Sequence, residues 1–420
     1  MLFADVFTRP SFLLFQELVT AWVLCPGRRT VTGMISTLVP APHRAHDAYH
    51  RFLRDGAWSL STLWRLLVRE LVSRFCPNER LFLDLDDTLF HRTGRRVNGA
   101  GIFRDPIRSI AGSVVYALGL NLVVLTLRVR PPWAGESLAL PIGLRVYHKG
   151  GPTHLELAEQ MIRQLAVWLP DHSFLVAGDG AWASLAGRSL PRTQITSRMR
   201  RDAALYELPP PRRPGQRGRP RKRGDRLPCP EEMARCCPQN DWQLTAVEYR
   251  GRTLTRFLLS RPVLWYAVCP DRAVLLVIVR DPAGKEPDDF FFTTDLDADP
   301  ADVASQYAGR WSIEETFRNV KQVLRGEDPQ SWKKHGPERA AALSLWLYSM
   351  IWLWYLSQYG SKPHWRTTPW YQSKRCPSFA DAVAALRQVL WREMLFRGCS
   401  NGAHPDKMID TLLDTLAYAA

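Results

Sequence analysis

Apolar residues recur at helical spacing through the first part of the chain. Segments 11–24, 45–54 and 59–74 each carry this pattern, and Ser59 stands where the N-cap of the third helix would be. A shorter helical stretch ending at Leu38 lies between the first two segments. Residues 1–78 are therefore predicted to form a helical N-terminal region.

The pattern then changes to short apolar runs that are typical of strands. The predicted elements are strands at 81–86, 114–118, 120–128, 173–177 and 194–199 and a helix at 154–169. The first strand ends at Asp86, next to Asp87, and Asp179 follows the strand at 173–177. This succession predicts an α/β core whose first part is 79–205, and carboxylates at neighbouring strand ends can converge on one metal site.

Residues 242–294 alternate between polar and apolar side chains in the manner of β-hairpins. They predict a β-rich insertion at 229–298, after which the core closes with helices at 299–358. The segment 340–356 is apolar and uncharged but short for a membrane span, so it predicts a buried helix. A helix at 379–396, capped by Ser378, is predicted within the C-terminal tail, 359–420.

One polar stripe stands out in the closing part of the core. Residues 307–321 contain no Pro, and no Gly after Gly309, so they predict one continuous helix. On a helical projection four reactive side chains fall within about 60° of one another: Tyr307, Arg310, Glu314 and Lys321. Apolar residues form an adjoining stripe, which predicts a buried face: Ile313, Phe317, Val320 and Leu324.

Charge points to a polyanionic partner, most simply nucleic acid. The formal net charge is +15, and twelve basic residues stand against three acidic ones between Arg192 and Arg226. The proline-rich part of this segment, 206–228, predicts a basic arm outside any core. Gly218-Arg219-Pro220 with its basic flanks resembles an AT-hook, although a basic linker that contacts phosphates without preference is an equal alternative. The expected DNA contacts are Arg217, Arg219, Arg221 and Lys222.

Two further inferences follow from composition. The eight cysteines lack the paired spacing of zinc sites, including the cluster Cys229, Cys236 and Cys237, so they predict free thiols in a reducing compartment. We expect a cytoplasmic, nucleoid-associated protein.

The N-terminal helices have two possible roles, which are compatible with each other. They could dock on DNA in helix-turn-helix fashion, or they could cover the core.

The acidic segment after Leu83 permits two interpretations. Asp84-x-Asp86-x-Thr88 resembles the nucleophile motif of haloacid-dehalogenase-like phosphatases, in which Asp84 would be phosphorylated and Asp86 would act as the acid/base. The loop after Asp179, residues 180–184, lacks the second acid that this family usually carries. That family also gives no role to the basic arm or to the polar stripe.

The second interpretation uses all of these features. Tyr307-x2-Arg310-x3-Glu314-x6-Lys321 matches the Y-x2-R-x3-E-x6-K signature of one large group of bacterial insertion-sequence transposases. The chain resembles a DDE transposase of that group. The resemblance implies an RNase H-like core with a β insertion before the final catalytic helix. It also implies a catalytic and metal-binding triad: Asp87, Asp179 and Glu314.

Within this resemblance Asp87 is assigned by its Asp-Thr context, and Asp86 is the neighbour with which it could be confused. Three carboxylates suit two Mg²⁺ (or Mn²⁺) ions placed about 4 Å apart. Tyr307, Arg310, Arg318 and Lys321 would contact phosphates, and Tyr307 would not be a nucleophile. A catalytically inactive DNA-binding relic is a third hypothesis, but it would need a missing acid.

The implied function is cleavage of double-stranded DNA at transposon ends and joining of the 3′-hydroxyls to target DNA. A homodimer on DNA is expected because two ends must be paired, and no membrane partner is expected.

Overall fold

The computed structural model describes residues 2–38, 44–77, 80–133, 135–210 and 221–400, with side chains described as far as residue 394. Its helices are α1 (Arg9–Leu24), α2 (Val31–Ile35), α3 (His46–Asp55), α4 (Leu60–Phe75), α5 (His154–Trp168), α6 (Pro230–Cys236), α7 (Pro300–Gly309), α8 (Ser312–Gln322), α9 (Gly336–Tyr359) and α10 (Phe379–Ser400). Its strands are β1 (Arg80–His91), β2 (Gly101–Arg104), β3 (Tyr116–Val129), β4 (Leu138–Tyr147), β5 (Ser173–Gly178), β6 (Thr193–Arg198), β7 (Gln243–Tyr249), β8 (Arg252–Val263), β9 (Val274–Arg280) and β10 (Asp289–Thr293).

The N-terminal helices cover one side of the core, as helical spacing predicted. Ser59 caps α4 by accepting a hydrogen bond from the Thr62 amide at 3.3 Å. Trp22 is fully buried and its indole donates to the Leu324 carbonyl at 2.9 Å, which ties α1 to the segment after α8. The covering role is therefore observed, while docking of these helices on DNA stays a prediction.

A single ten-stranded sheet forms the centre of the molecule. Its strands run in the order β2-β3-β1-β5-β6-β10-β9-β8-β7, with β4 paired to β3. Only the β1–β5 and β5–β6 pairs are parallel among the described strands. Helices pack on this mixed sheet, which confirms the α/β class; the RNase H-like assignment stays a prediction.

The strands of the predicted β insertion extend this sheet. β7, β8 and β9 pair antiparallel in succession, and β10 pairs with both β9 and β6. Residues 243–293 are thus hydrogen-bonded edge to edge with the core. The division of the chain into domains stays a prediction.

Three strand predictions differ from the structure. β1 does not end at the acids but runs through them to His91, because β3 pairs with it along the whole stretch. Residues 114–118 and 120–128 are not two strands: β3 passes unbroken through Gly119, which pairs with His91 on one side and Gly101 on the other. β2 and β4 were not predicted at all.

The long apolar helix is buried, as predicted. Of the helices described here, α9 is long and apolar enough to cross a membrane, and 83% of its most apolar 18-residue window lies inside the protein. It contacts α3, α4, α8, α10 and β4. Its apolar surface is therefore explained by packing within this chain.

Candidate functional site

Three carboxylates lie on β1, and they face two sides of the strand. Side chains alternate along a strand, so Asp84 and Asp86 share one face and Asp87 points to the other. Asp84 is completely buried and forms an ion pair with Arg128, which also donates to the Gln306 carbonyl at 2.8 Å. A buried, paired carboxylate is closed to substrate, which disfavours the phosphatase interpretation in which Asp84 attacks a phosphate.

Arg310 links Asp86 to Glu314. Its guanidinium donates to Asp86 Oδ2 at 2.9 Å and to Glu314 Oε1 at 3.0 Å. Burial raises the pKa of Asp86 to about 7; Arg310 opposes this shift, and the negative charges of Asp179 and Asp87 add to it. Burial acts to lower the pKa of Arg310, but the nearby Asp86, Tyr307 and Glu314 outweigh burial and raise it. Arg310 therefore remains a cation.

The prediction of one continuous helix over Tyr307–Lys321 is wrong, and the break positions Arg310. α7 ends at Gly309 and α8 begins at Ser312. Between them the chain tightens to three-residue hydrogen bonds, from the Arg310 amide to the Tyr307 carbonyl and from the Ile313 amide to the Arg310 carbonyl, both at 3.1 Å. A Cβ at Gly309 would lie 2.6 Å from Arg128 Nη1, so a larger residue there would have to displace the Arg128 guanidinium.

The predicted apolar stripe is confirmed, since its three residues on α8 and the one just after the helix are all buried: Ile313, Phe317, Val320 and Leu324. Tyr307, on α7, stacks on Phe291 with 4.3 Å between ring centroids, and burial raises the pKa of its hydroxyl. The Arg310 guanidinium lies 5.7 Å from the centroid of the Tyr307 ring.

The other two predicted phosphate contacts differ in their surroundings. Lys321 lies 5.7 Å from the centroid of the Phe90 ring, and burial lowers its pKa. Arg318 is exposed and pairs with Glu315 at 3.0 Å. Glu315 therefore has a different partner from Glu314, which pairs with Arg310.

Asp87 lies on the other side of β1, beside polar side chains from β3 and α5. It accepts a hydrogen bond from the Asn121 amide at 3.3 Å, and His154 Nε2 lies 3.2 Å from Asn121 Oδ1. Asp87 is partly exposed, but the surrounding protein still desolvates its carboxylate and raises its pKa. The charge of Asp179 adds to this shift, whereas His154 and the hydrogen bond from Asn121 oppose it. Asn121 and His154 were not among the site residues predicted from the sequence.

Asp179 stands beside these acids because β5 runs parallel to β1 and pairs Leu85 with Gly178. It caps the 3₁₀ helix Gly180–Gly187 by accepting from the Ala181 amide at 2.9 Å. Its charge raises the pKa of both Asp86 and Asp87, so the three carboxylates lie within electrostatic reach of one another.

The carboxylates of this site are suitable ligands for a hard divalent cation, although they do not converge on one point. Carboxylate oxygens are the preferred ligands of Mg²⁺ and Mn²⁺, and a cation would relieve the mutual repulsion of these acids. Within the described ranges, however, no three His, Cys, Asp or Glu side chains converge in metal-binding geometry. Glu314 is held by Arg310 instead.

The basic segment is closed at its base by backbone pairing. The Glu207 amide donates to the Asp225 carbonyl and the Gly224 amide to the Glu207 carbonyl, both at 2.9 Å. Arg223 lies over the Tyr206 ring at 4.3 Å. Of the predicted DNA contacts, Arg221 and Lys222 are exposed at this base, whereas Arg217 and Arg219 lie outside the described residues.

A family model described as DDE superfamily endonuclease matches residues 3–256. The chain belongs to this family. Membership places it among transposase-type nucleases that act on DNA and typically use divalent metals. In this DDE endonuclease the matched range includes Asp87 and Asp179 and ends within β8, before Glu314. No curated protein matches the chain.

Proposed function

We propose that this DDE endonuclease is a transposase that cleaves phosphodiester bonds at transposon ends and joins the 3′-hydroxyls to target DNA. The observation that carries the proposal is the assembly around β1 of Asp87, Asp179 and the Arg310–Glu314 pair. Two of these elements come from the matched range and the third from the tyrosine-arginine-glutamate-lysine signature.

Asp87, Asp179 and Glu314 are the proposed ligands for two Mg²⁺ or Mn²⁺ ions. When bound, such ions activate the attacking oxygen and stabilise the leaving oxygen of the phosphodiester. Asp87 is proposed from its Asp-Thr context and because its hydrogen-bond donor is the neutral Asn121 side-chain amide. Asp86, which lies on the same side of β1 as Glu314 and shares Arg310 with it, is the alternative ligand. With Asp87 as the ligand, Asp86 is the residue that holds Arg310 in place.

Arg310 is proposed to exchange its partners for the DNA backbone. Its raised pKa keeps the guanidinium charged, and a planar guanidinium suits two phosphate oxygens as well as it suits carboxylates. Movement of Arg310 onto a phosphate would free the Glu314 carboxylate for a metal ion, and would free Asp86 at the same time, because Arg310 holds both. Tyr307, Arg318 and Lys321 would contact neighbouring phosphates, and two copies of the chain would pair the two ends.

The test compares adjacent glutamates on α8. Glu314→Gln is expected to abolish cleavage of end-containing duplex in Mg²⁺ while DNA binding is largely retained, because one charged ligand is lost and the helix face is kept. Glu315→Gln is the matched control, since Glu315 pairs with the exposed Arg318, and it should cut like the wild type. Nicking by the Glu314→Gln protein would rule out this triad.

Joining must be measured separately from cutting. A pre-cleaved end with a free 3′-hydroxyl, incubated with supercoiled plasmid and Mg²⁺, should give plasmid-linked product with wild type and none with Glu314→Gln. Cleavage without joining would leave an endonuclease and remove the transposase part of the proposal. Absence of both reactions in the wild-type protein would support the inactive relic.

A further inference from the structure

An exposed apolar cluster lies at the turn between β2 and β3. Large hydrophobic side chains here project into solvent, with Ile107 77% and Ile110 72% exposed. Further exposed apolar residues complete the cluster, which we call the hairpin tip, residues 102–116: Ile102, Val114 and Tyr116. Exposed apolar clusters of this kind mark interaction sites when the chain holds them in a fixed shape.

The hairpin tip has such a shape. The Asp105 carboxylate accepts from the amides of Ile107 at 3.1 Å and Arg108 at 3.3 Å. Ser109 Oγ donates to the Asp105 carbonyl at 2.6 Å and accepts from the Val115 amide at 3.0 Å. The isoleucines are therefore presented on a turn closed by hydrogen bonds, so binding would not have to order it.

The same aspartate ties the tip to the end of β1. Asp105 is almost completely buried, and His91 Nε2 lies 2.8 Å from its carboxylate. The other face of His91 meets Glu327, whose carboxylate accepts from the His91 amide at 2.6 Å. The Lys321 ammonium lies 5.7 Å from the ring centroid of Phe90, the residue before His91 on β1. The tip thus stands at the end of the sheet where Lys321 lies.

The charges around the tip identify its partner. Arg104 and Arg108 are exposed, and Arg95 and Arg96 precede them on the same exposed stretch; the tip's one acid, Asp105, is buried, and its carboxylate lies 3.4 Å from Arg108 Nε. A second copy of this chain carries a net charge of +15 and would be repelled. A polyanion would be attracted, and aliphatic side chains flanked by arginine are used by proteins that wedge into DNA grooves.

We propose that the hairpin tip is a second DNA-binding surface, distinct from the acidic site and the basic arm. Arg104 and Arg108 contact phosphates of the duplex, and Ile107 and Ile110 pack against the groove between them. The proposal rests on the proposed function for the identity of the polyanion. It adds a contact that holds the duplex beyond Lys321.

The experiment measures binding without cleavage. Fluorescence anisotropy with a labelled duplex of arbitrary sequence, in EDTA and over a series of salt concentrations, is applied to purified full-length variants. Arg104→Ala/Arg108→Ala should lower the slope of log affinity against log salt by about 2, and Arg104→Lys/Arg108→Lys should restore it. Ile107→Ser/Ile110→Ser should weaken binding about 10-fold with an unchanged slope.

Val167→Ser is the control for the isoleucine pair, because Val167 is equally exposed on α5, away from the hairpin. Wild-type affinity in both tip variants would overturn the proposal, whatever the cleavage assays show. A tip variant that binds DNA normally but changes the sedimentation of the DNA-free protein would assign the surface to a second copy instead. The two proposals can fail independently. If Glu314→Gln still cleaved DNA while the tip variants bound it more weakly, the triad would be wrong and the tip would remain a DNA-binding surface.

Discussion

Asp86 and Asp87 are adjacent in the chain but occupy different electrostatic surroundings. Asp86 faces α8 and shares Arg310 with Glu314, whereas Asp87 faces α5 and meets Asn121. A one-residue step along a strand reverses the face on which a side chain lies. Asp86 therefore positions the Arg310 guanidinium, whereas Asp87 has no cationic side chain bonded to it among the residues that the structure describes and is proposed to bind a metal ion.

Substitution of the two aspartates separates these roles. Asp87→Asn should reduce Mg²⁺-dependent cleavage by about 1000-fold or more, since bound metals contribute several kcal/mol to the transition state. Asp86→Asn should cost about 100-fold, because Arg310 loses one anchor and is misplaced. Single-turnover cleavage of end DNA measures both. The reverse order, with Asp86→Asn inactive and Asp87→Asn active, would make Asp86 the ligand.

Spacing in the sequence was enough to predict individual site residues, but not the side chains that contact them from distant parts of the chain. Glu314 and Arg310 lie four positions apart, so their contact is local and visible in the signature. Asn121 meets Asp87 only because β3 pairs with β1 in one particular register, and His154 arrives from α5. One signal was present: Asn121 is a polar residue between aliphatic neighbours, Leu120 and Leu122.

The junction between α7 and α8 is the element on which the site depends. It brings Gly309 against Arg128, and Arg128 in turn neutralises the buried Asp84. Helical propensity alone favours an unbroken helix here, which is why the pattern did not predict the break. Tertiary packing on β1 decides the local conformation instead.

Gly309→Ala tests this dependence. A Cβ at residue 309 would lie 2.6 Å from Arg128 Nη1 and displace a guanidinium that a buried carboxylate needs. The free energy of unfolding should fall by about 1–3 kcal/mol, as measured by urea denaturation. Gly143→Ala is the control, because its nearest neighbour, Met161 Sδ, is 3.5 Å away and leaves room for a methyl group. Equal stability of the two variants would contradict this role for Gly309.

Other elements were predictable to different extents. Helices α1, α3, α4, α5 and α10 were predicted because each has a face of regularly spaced apolar residues. Strand ends were not, since they depend on how far a partner continues. β3 is an example: Gly119 suggests a boundary in the sequence, yet β1 and β2 hold it in the ladder from both sides.

At the scale of the whole molecule, charge is concentrated in the basic segment. The backbone pairing of Glu207 with Gly224 and Asp225 holds the two ends of residues 208–223 side by side. A shorter connection can therefore replace residues 211–220 without changing the distance that the chain must span.

Replacement of residues 211–220 by a short Gly-Ser link removes Arg212, Arg213, Arg217 and Arg219. The melting temperature should stay unchanged, and the salt slope of duplex binding should fall by up to about 3.5 if all four contact phosphates. Substitution of the four arginines by lysine distinguishes the alternatives: an AT-hook would lose its preference for A·T-rich duplex, and a phosphate-binding linker would bind as before. An unchanged slope in the shortened protein would show that this segment does not contact DNA.

The continuity of the sheet sets a distance. Nine strands lie on the path from β2 to β7, and neighbouring strands are about 4.8 Å apart, so the two edges are separated by roughly 38 Å along the sheet. One turn of B-form DNA rises about 34–36 Å. The hairpin and the far edge of the β insertion are thus held about one turn of duplex apart by a continuous hydrogen-bonded sheet. The acidic residues of β1 lie at a fixed position between these two edges.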